Sequence, residues 1–433
     1  MSDQPWRFRG ALAELDREGR AFLCRRDSAR DPSVRERTRQ IISQVRQGGD
    51  GALRALALEL DGVRLDSLEV PRRLWGTALR ELQPELRSAL ERAAANIARA
   101  HRAFVPRQAE VETEAGVRVG RRPDPLRRVG IYAPGGRASY PSSLLMAAVP
   151  ARVAGVAEVI VCSPPAPSGT PSLVVLAAAE IGQVDRLFAL GGAGAIAAMA
   201  FGTDTVPRVD RIVGPGNAYV AEAKMQLSSE VGIDLPAGPS ELLAIADAAA
   251  DPKVIAREML AQAEHDPDAS VVALAVGRGV ADPIEAALRD ALREGARAEA
   301  QRSLSARGAV LSVSSLEEAL DFAAEFAPEH LLLALSAPDA ALEKVRNAGA
   351  VFVGETSSVA FGDYLTGANH VLPTAGLGRA YSGLSVIDFM RWTSYQQVDR
   401  AAAARLAEDT GLLAESEGLP AHAAAARAWR RQG

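Results

Sequence analysis

The sequence predicts an α/β fold made of two doubly wound, mostly parallel Rossmann-like domains, with helical N-terminal and C-terminal segments. From Arg128 onward, short β-rich runs alternate with amphipathic segments, beginning with RVGIYAP, SSLLMAAVPARVAG and VAEVIVCSP. A second alternating series runs from ELLAIAD to GAVFVG. Strands and helices that follow one another in this way form parallel sheets covered on both faces. The 433 residues, 48% of them hydrophobic, also exceed what one core usually holds, which favours two or more domains.

Helical patterns dominate outside these two series. Apolar residues recur at spacings of three and four in VRERTRQIISQV and LRSALERAAANIARA, and the sequence after about Ser385 is Ala-rich. Within the second series, Asp251-Pro252 and Ser314-Ser315 are suited to begin helices. We therefore expect four parts, which are a helical segment of residues 1–30, one α/β domain of residues 31–131 and 240–384, a second α/β domain of residues 132–239, and a helical tail of residues 385–433.

Charge and composition narrow the range of partners. Lys and Arg total 49 against 54 Asp and Glu, and the formal net charge of -5 gives no basic field for binding nucleic acid. The N-terminus lacks the apolar core of a secretory signal, and the most apolar stretch, residues 144–162, is interrupted by a proline and two charged residues. Cys24 and Cys162 are too few for a disulfide framework or a thiolate zinc site. We expect a cytoplasmic protein that binds neither nucleic acid nor membrane.

Glycine-dense junctions follow three predicted strands of the first series, at residues 133–136, 191–194 and 214–217. Glycine lets the backbone approach a ligand closely, and the N-termini of the following helices offer N–H donors to phosphate. None of the three matches the GxGxxG fingerprint, and each alone is consistent with a simple turn. Together on one parallel sheet, they indicate a dinucleotide that lies along the carboxyl ends of the strands.

Histidines are few enough to be weighed one by one. They are His101, His265, His330, His370 and His422. In LAQAEHDPD, Gln262 and His265 stand three apart near the end of a predicted helix, where an amide oxygen and an imidazole can share a metal. The alternative is a histidine at a helix C-terminus that interacts with the helix dipole.

The other histidines lie in segments of different character. Glu329 and His330 precede a predicted strand in FAPEHLLL and suit proton transfer at neutral pH, although an exposed loop pair is the alternative. Asp363 and His370 lie in the Gly-rich AFGDYLTGANHVLPTAG, where a carboxylate can bind zinc. Near the C-terminal helix, Glu417 and His422 are five residues apart, and a solvent-facing histidine is the alternative there. His101, within IARAHRAF, is expected to be structural.

Taken together, these segments resemble the histidinol dehydrogenase family over nearly the whole chain. The resemblance rests on long motifs in the family's order: VGIYAPGGRASYPSSLLMAAVPARVAG, DRIVGPGNAYVAEAK, DLPAGPSELLAIAD, AEHDPDA, FAPEHL, and FGDYLTGANHVLPTAG followed by YSGLSVIDF. It implies a four-electron oxidation of L-histidinol through bound L-histidinaldehyde to L-histidine, with two NAD and one Zn2+ per subunit. It also implies a homodimer in which the tails, residues 385–433, are exchanged between subunits.

The resemblance also implies roles for single residues. The positions that match zinc ligands are Gln262, His265, Asp363 and His422. Glu329 and His330 match the proton-transfer pair, with His330 as the base in both oxidations and Glu329 activating the water that hydrates the aldehyde. The positions that match substrate contacts are Ser240, Gln262, His265, His330, Asp363, His370, Glu417 and His422. Tyr132 and Asn217 match the lining of the NAD site, so residues 132–239 are expected to bind NAD and residues 31–131 with 240–384 to bind zinc and substrate.

One position departs from the family pattern. Where the family usually reads GGAQAIAA this chain reads GGAGAIAA, so Gly194 replaces a glutamine that contacts NAD. Water or another side chain fills the space, or NAD binds somewhat more weakly. Two alternatives stand beside the resemblance: a relative that oxidises another small alcohol, and a catalytically silent, zinc-stabilised dimeric scaffold. The retained substrate positions argue against the first alternative, and the presence of Glu329 and His330 argues against the second.

Overall fold

Alternating apolar runs and amphipathic segments form the strands and helices that their periodicity predicts. The computed structural model describes residues 5–26, 31–135, 139–234 and 238–431. The strands are β1 Phe8–Ala11, β2 Ala109–Glu114, β3 Val117–Pro125, β4 Arg128–Tyr132, β5 Glu158–Ser163, β6 Arg186–Ala189, β7 Arg211–Val213, β8 Gly232–Ile233, β9 Glu241–Ala246, β10 Ser270–Val276, β11 Ala309–Val313, β12 His330–Ala334, β13 Ala350–Val353 and β14 Met390–Val398.

Six of the sixteen α-helices in the described residues begin after a residue whose side chain caps the first turn. The sixteen helices are α1 Arg17–Cys24, α2 Pro32–Leu56, α3 Arg72–Glu81, α4 Pro84–Ala103, α5 Pro141–Ala154, α6 Leu173–Ile181, α7 Gly192–Phe201, α8 Ala218–Leu227, α9 Pro252–Ala263, α10 Ala281–Arg293, α11 Ala298–Arg307, α12 Leu316–Phe326, α13 Pro338–Leu342, α14 Val359–Tyr364, α15 Arg400–Ser416 and α16 Pro420–Arg427. Asp251 caps α9 and Ser315 caps α12, as the sequence predicts. No helix within the described ranges is long and apolar enough to cross a bilayer.

The first domain is built on a parallel sheet with the strand order β6-β5-β4-β7-β8. The strand order reverses between β4 and β7, which is the arrangement of a doubly wound fold. Helices α2, α3 and α4 pack on the helices of this domain, with α2 against α7 and α8, α3 against α6, and α4 against α5. Their apolar side chains, including Ile41, Leu53 and Ile97, join the same core as Ile131 and Val161.

This packing corrects the division into domains expected from the sequence. Residues 31–131 were expected to join residues 240–384, but the helices within 32–103 cover the first sheet instead. The expected boundary between residues 131 and 132 also falls inside β4, because that strand runs from Arg128 to Tyr132. Helical periodicity identifies the buried face of a helix, but it does not identify which sheet that face covers.

The second domain repeats the topology with an added edge strand. Its sheet has the order β1-β11-β10-β9-β12-β13, and all of its pairs are parallel. Alternate residues of β9 enter separate cores, since Leu242 packs with α9, α10 and α11 while Leu243 packs with α12 and the N-terminal segment. Both faces are therefore covered, as the sequence predicts. Within the described residues 5–26, β1 precedes helix α1, so the segment expected to be helical also contains a strand.

A third sheet, of order β14-β3-β2, is antiparallel. It joins the start of the C-terminal tail to the hairpin that precedes β4, with Met390 opposite Pro125. The tail was expected to be helical, and α15 and α16 follow β14 as a helical pair that packs mainly on itself. The nine-residue strand at its start was not expected. The fold class is nevertheless the predicted one.

Candidate active site

The candidate site lies at the amino edge of the second sheet. Glu329 directly precedes β12 and His330 is the first residue of that strand, opposite Leu242 of β9 and Ala350 of β13. Both side chains are buried, with Glu329 6% and His330 3% exposed. An exposed loop pair is therefore excluded. Ligands of parallel sheets more often bind at the carboxyl edge, so the position of this pair could not be obtained from that rule.

His330 is held in one orientation by its backbone neighbour. Its Nδ1 lies 2.9 Å from the carbonyl oxygen of Glu241, and because a carbonyl only accepts, Nδ1 carries the proton. Nε2 lies 3.7 Å from Oδ1 of Asp363 and has no hydrogen-bond partner among the described residues. A neutral His330 therefore presents its lone pair at Nε2, towards Asp363, as a base requires.

Asp363 and His370 are joined through the turn that follows α14. Asp363 is buried on this helix, and its carbonyl oxygen accepts a hydrogen bond from Nδ1 of His370 at 2.8 Å. Nε2 of His370 lies 3.1 Å from Oγ of Ser143, in the first turn of α5. Asn369 also donates to the carbonyl oxygen of Met146 at 2.7 Å. These contacts bring the carboxyl edge of the first sheet, where α5 begins, against the amino edge of the second.

Ser143 was missed by the sequence reasoning. The available signal was a hydroxyl in the first turn of a predicted helix directly after a glycine-dense junction. That signal does not distinguish a structural serine from a functional one, whereas the contact with His370 does.

Charge is distributed unevenly across the site. Burial lowers the pKa of His330, but the carboxylates of Glu329 and Asp363 outweigh burial and raise the pKa to about 10. Burial raises the pKa of Asp363, and the interactions with His330 more than offset it, so the pKa is lowered overall. Burial lowers the pKa of His370, which keeps that imidazole neutral at pH 7. At pH 7 the cationic form of the His330 imidazole is therefore favoured, between the carboxylates of Glu329 and Asp363.

Gln262 and His265 lie at the end of α9, the helix that contacts the start of α14. Gln262 is buried in the last turn of α9, and its amide nitrogen has no partner within the described ranges. One turn earlier on the same face, Glu258 accepts a hydrogen bond at 3.1 Å from the backbone N–H of Val359, at the start of α14. His265 is exposed just beyond α9 and contributes to lowering the pKa of the Asp363 carboxyl.

Ser240 and the tail residues occupy different environments. Ser240 is half-buried immediately before β9, next to the residue that contacts His330. Glu417 and His422 are exposed on the tail. Over the part of the chain that the structure describes, no group of three or more His, Cys, Asp or Glu side chains is arranged to hold a metal. Within one subunit, His422 therefore does not complete a site with His265 and Asp363.

The candidate cofactor cleft lies at the carboxyl edge of the first sheet. Tyr132 ends β4, and its hydroxyl oxygen accepts a hydrogen bond at 3.0 Å from the N–H of Gly192, at the start of α7. Burial raises the pKa of Tyr132 to about 12, so the phenol stays neutral and keeps its proton for donation. Gly214 follows β7 with φ of +112° and packs on the carbonyl oxygen of Tyr132. Gly136, predicted to belong to this cleft, lies outside the described residues.

Two other predicted cofactor positions have structural roles. Asn217 caps α8, because its side-chain oxygen accepts hydrogen bonds from the N–H groups of Tyr219 at 3.1 Å and Val220 at 3.2 Å. Gly194 lies inside α7 rather than in the loop before it, and a Cβ there would meet Leu56 of α2 at 3.3 Å. The Cα–Cβ bond of a side chain at position 194 would therefore point towards α2.

His101 has the structural character expected of it, and Cys162 is likewise part of the core. His101 is buried on α4, and its Nδ1 accepts a hydrogen bond at 3.2 Å from the N–H of Val386. Burial lowers the pKa of His101 to about 4, so the ring stays neutral. Cys162 is fully buried in β5.

Comparison with known proteins identifies the family to which this chain belongs. The sequence model of the family described as histidinol dehydrogenase matches residues 24–430. The chain belongs to the histidinol dehydrogenase family. Its family relatives include the histidinol dehydrogenase of Methanosarcina barkeri, 44% identical over 388 residues, which are 89% of this chain and 90% of that protein. That of Thermus thermophilus is 47% identical over 409 residues, covering 94% of this chain and 97% of the relative.

The fold of the histidinol dehydrogenase family is also shared in three dimensions. A crystal structure of histidinol dehydrogenase from Elizabethkingia anophelis superimposes with a TM-score of 0.95 at 31% sequence identity. The superposition covers all of this chain and 99% of that one. The overall fold of this chain is therefore that of the family.

Proposed function

We propose that the protein is a cytoplasmic enzyme that oxidises L-histidinol to L-histidine through bound L-histidinaldehyde, the final step of histidine biosynthesis. The observation that carries this proposal is the buried pair of Glu329 and His330, with Nδ1 of His330 fixed on a backbone carbonyl and Nε2 free to accept a proton. Four electrons leave the substrate as two hydrides, so two NAD are consumed in succession with one water.

The residues present fit a zinc ion. We assign Gln262, His265 and Asp363 of one subunit and His422 of the partner subunit as its ligands, one ion in each site. The supporting observations are the buried side chain of Gln262, whose amide nitrogen has no partner among the described residues and whose oxygen would be the donor to zinc, and the buried carboxylate of Asp363 on an adjacent helix. Nitrogen and oxygen donors of this kind suit zinc. When bound, the ion would hold the amino and imidazole groups of histidinol and so orient the carbinol carbon.

His330 is proposed to remove the hydroxyl proton while hydride leaves for NAD. It accepts a proton only when neutral, whereas the two adjacent carboxylates raise its pKa to about 10. A metal ion bound to Asp363 would offset the negative charge of that carboxylate and so lower the pKa of His330. Binding of the ion would therefore favour the neutral form of His330, which is the form that accepts a proton. Ser240, His370 and Glu417 are proposed to contact the substrate, and His370 is already oriented by Ser143 and by the Asp363 backbone.

Glu329 is proposed to act on the aldehyde. One oxygen of its carboxylate, Oε2, accepts a hydrogen bond at 2.8 Å from the N–H of Glu241, which fixes the side chain. The carboxylate then activates water for addition to the aldehyde, and His330 takes a proton again before the second hydride leaves. Retention of the aldehyde between the two steps protects a reactive intermediate from release.

NAD is proposed to bind at the carboxyl edge of the first sheet, beside Tyr132 and the loops that begin α7 and α8. The strand order reverses at this edge, and ligands of doubly wound sheets bind at such a reversal. Asn217 remains part of the proposed cleft, although its side-chain oxygen already accepts a hydrogen bond that caps α8. Gly194 is not proposed to replace the family's glutamine contact, because its position faces α2.

We propose that the active unit is a homodimer with exchanged tails. The tail exposes apolar side chains, which are Leu412, Leu413, Leu419 and Trp429. Phe361 and Tyr364, next to Asp363, are likewise more than half exposed at 57% and 56%. Exposed apolar surface at the mouth of one site and on the tail suits association of two copies. Glu417 and His422 would then reach the partner's site.

Stoichiometry provides the direct test of the reaction. We expect two NADH for each histidinol consumed, and we expect activity to be lost with a zinc chelator and restored by Zn2+. The measurement is NADH absorbance under limiting histidinol, with and without chelator. One NADH per alcohol, or turnover only with other small alcohols, would support the alternative substrate class, and no turnover of any alcohol by metal-loaded protein would support the scaffold.

Subunit mixing tests the shared site. His422→Ala subunits mixed with His265→Ala subunits should recover roughly a quarter of wild-type activity, because half of randomly formed dimers contain one complete site. The control mixture combines His265→Ala with Asp363→Ala subunits, whose lost ligands belong to the same half, and it should stay inactive. Verified heterodimers of the first mixture without recovery would contradict exchange of the tails.

A further inference from the structure

A buried ion pair lies directly behind Glu329 and His330. Arg26 follows α1 and Glu241 begins β9, and each side chain is only 2% exposed. Nε of Arg26 lies 2.7 Å from Oε1 of Glu241, and Nη2 lies 3.0 Å from Oε2, so the pair is bidentate. The sequence reasoning assigned no role to either residue.

Arg26 is fixed from both sides. Its Nη1 donates to the carbonyl oxygen of Leu23 at 3.1 Å, and its Nη2 donates to that of Phe326 at 2.6 Å. The guanidinium also stacks over the Phe326 ring, 3.5 Å from its centroid. Phe326 ends α12, three residues before Glu329. Arg26 therefore links the N-terminal segment to the turn that precedes Glu329 and His330.

Glu241 contacts both members of that pair through separate groups. Its N–H donates to Oε2 of Glu329 at 2.8 Å, and its carboxylate accepts from the N–H of Glu329 at 3.4 Å. Its carbonyl oxygen accepts from Nδ1 of His330 at 2.9 Å. The carboxylate also accepts from the N–H of Ala375 at 2.7 Å, in the loop after His370. Glu241 thus joins the segment that carries both Glu329 and His330 to the loop that follows His370.

Stability alone does not account for this pair. Two charges removed from water are often no more stabilising than apolar side chains of the same volume. The pair instead fixes the orientation of its neighbours. The bidentate guanidinium of Arg26 holds the Glu241 carboxylate in one position, and Glu241 in turn holds the start of β9. The carboxylate accepts hydrogen bonds from Arg26, Ala375 and Glu329, so it is fully engaged in holding its neighbours.

We propose that Arg26 and Glu241 are positioning residues for the reaction, which hold the Glu329 carboxylate and keep the proton of neutral His330 on Nδ1. The inference rests on the proposed roles of Glu329 and His330. Residues that orient catalytic side chains in this way typically change activity by about 10- to 100-fold when they are lost.

The test compares four variants with the wild type. Arg26→Met should lower kcat for both oxidations about 10- to 100-fold with KM changed less than about threefold, and Arg26→Lys, which keeps the charge without the bidentate contact, should recover part of the loss. Glu241→Gln should also lower kcat, and it provides the test if Arg26→Met does not fold. The control is Arg9→Met, which removes a contact of 2.9 Å to buried Glu285 elsewhere in the same domain and should leave kcat unchanged.

A spectroscopic measurement separates positioning from simple loss of stability. With five histidines in the chain, the imidazole nitrogen spectrum of labelled, zinc-loaded enzyme can be assigned, and the His330 signals should move in Arg26→Met. Unchanged His330 signals together with kcat within twofold of wild type would overturn the inference. His330→Asn and Glu329→Gln are measured in parallel: if these retain kcat, the proposed roles fail, whereas if only Arg26→Met and Glu241→Gln retain it, the positioning role alone fails.

Discussion

His330→Asn is expected to lower kcat for oxidation of both histidinol and histidinaldehyde by between about 10²- and 10⁴-fold, the usual contribution of a general base. Asparagine can still donate to the carbonyl oxygen of Glu241, as Nδ1 of His330 does at 2.9 Å, but it offers no basic nitrogen towards Asp363. The loss therefore reports on proton transfer. Single-turnover formation of NADH from each substrate measures the two oxidations separately.

Glu329→Gln should separate those two oxidations. If the carboxylate activates water, the aldehyde step slows more than the alcohol step, since only the aldehyde step consumes water. Glutamine keeps the shape and can accept the same hydrogen bond from the N–H of Glu241. Glu285→Gln, at an equally buried carboxylate of α10, serves as the control and should keep both rates. Equal losses at the two steps in Glu329→Gln would contradict the division of labour.

Gly214→Ala should remove NAD binding and destabilise the first domain by about 3 kcal/mol or more. The residue has φ of +112°, and a Cβ would overlap the carbonyl oxygen of Tyr132. The backbone has little freedom to shift, because its N–H donates to buried Asp234 at 2.7 Å and its carbonyl oxygen accepts from buried Lys224 at 2.9 Å. Strain and overlap therefore act together at the proposed cofactor cleft.

Gly169→Ala provides the matched control for this glycine. Gly169 has φ of +84° in a loop where a Cβ would meet nothing within 4 Å. Its substitution costs about 1 kcal/mol for the backbone conformation alone and should leave NAD affinity unchanged. Urea unfolding and calorimetric titration with NAD measure the two effects. A folded Gly214→Ala protein that binds NAD normally would place the cofactor elsewhere.

Local pattern was sufficient to predict the two doubly wound sheets and the starts of α9 and α12. These features are encoded in neighbouring residues, namely runs of β-branched side chains, glycine after the strand, and a capping side chain before the helix. The same information did not place α2, α3 and α4, because an apolar stripe is compatible with either sheet. Nor did it reveal β14, whose partner strand β3 is distant in sequence and whose faces are both partly exposed.

The candidate site was predictable where residue type itself carries the chemistry. His330, Glu329 and Asp363 were named because imidazole and carboxylate groups are chemically conspicuous, and the structure brings the three together. Arg26 and Glu241 could not be found in that way. Arginine and glutamate are frequent, and only the folded chain shows that these two are buried against one another.

The N-terminal strand has a consequence for synthesis of the protein. β1 pairs with β11, and Arg26 contacts Phe326, 300 residues further along the chain. At about 5–20 residues per second, the ribosome takes roughly 15 seconds or more to deliver that partner. Every strand of the first sheet, and the helices that cover it, are made in that interval. The first domain can therefore fold as an insertion before β11 is available to pair with β1. Glu329 and His330 follow β11 in the chain and reach their final positions later still.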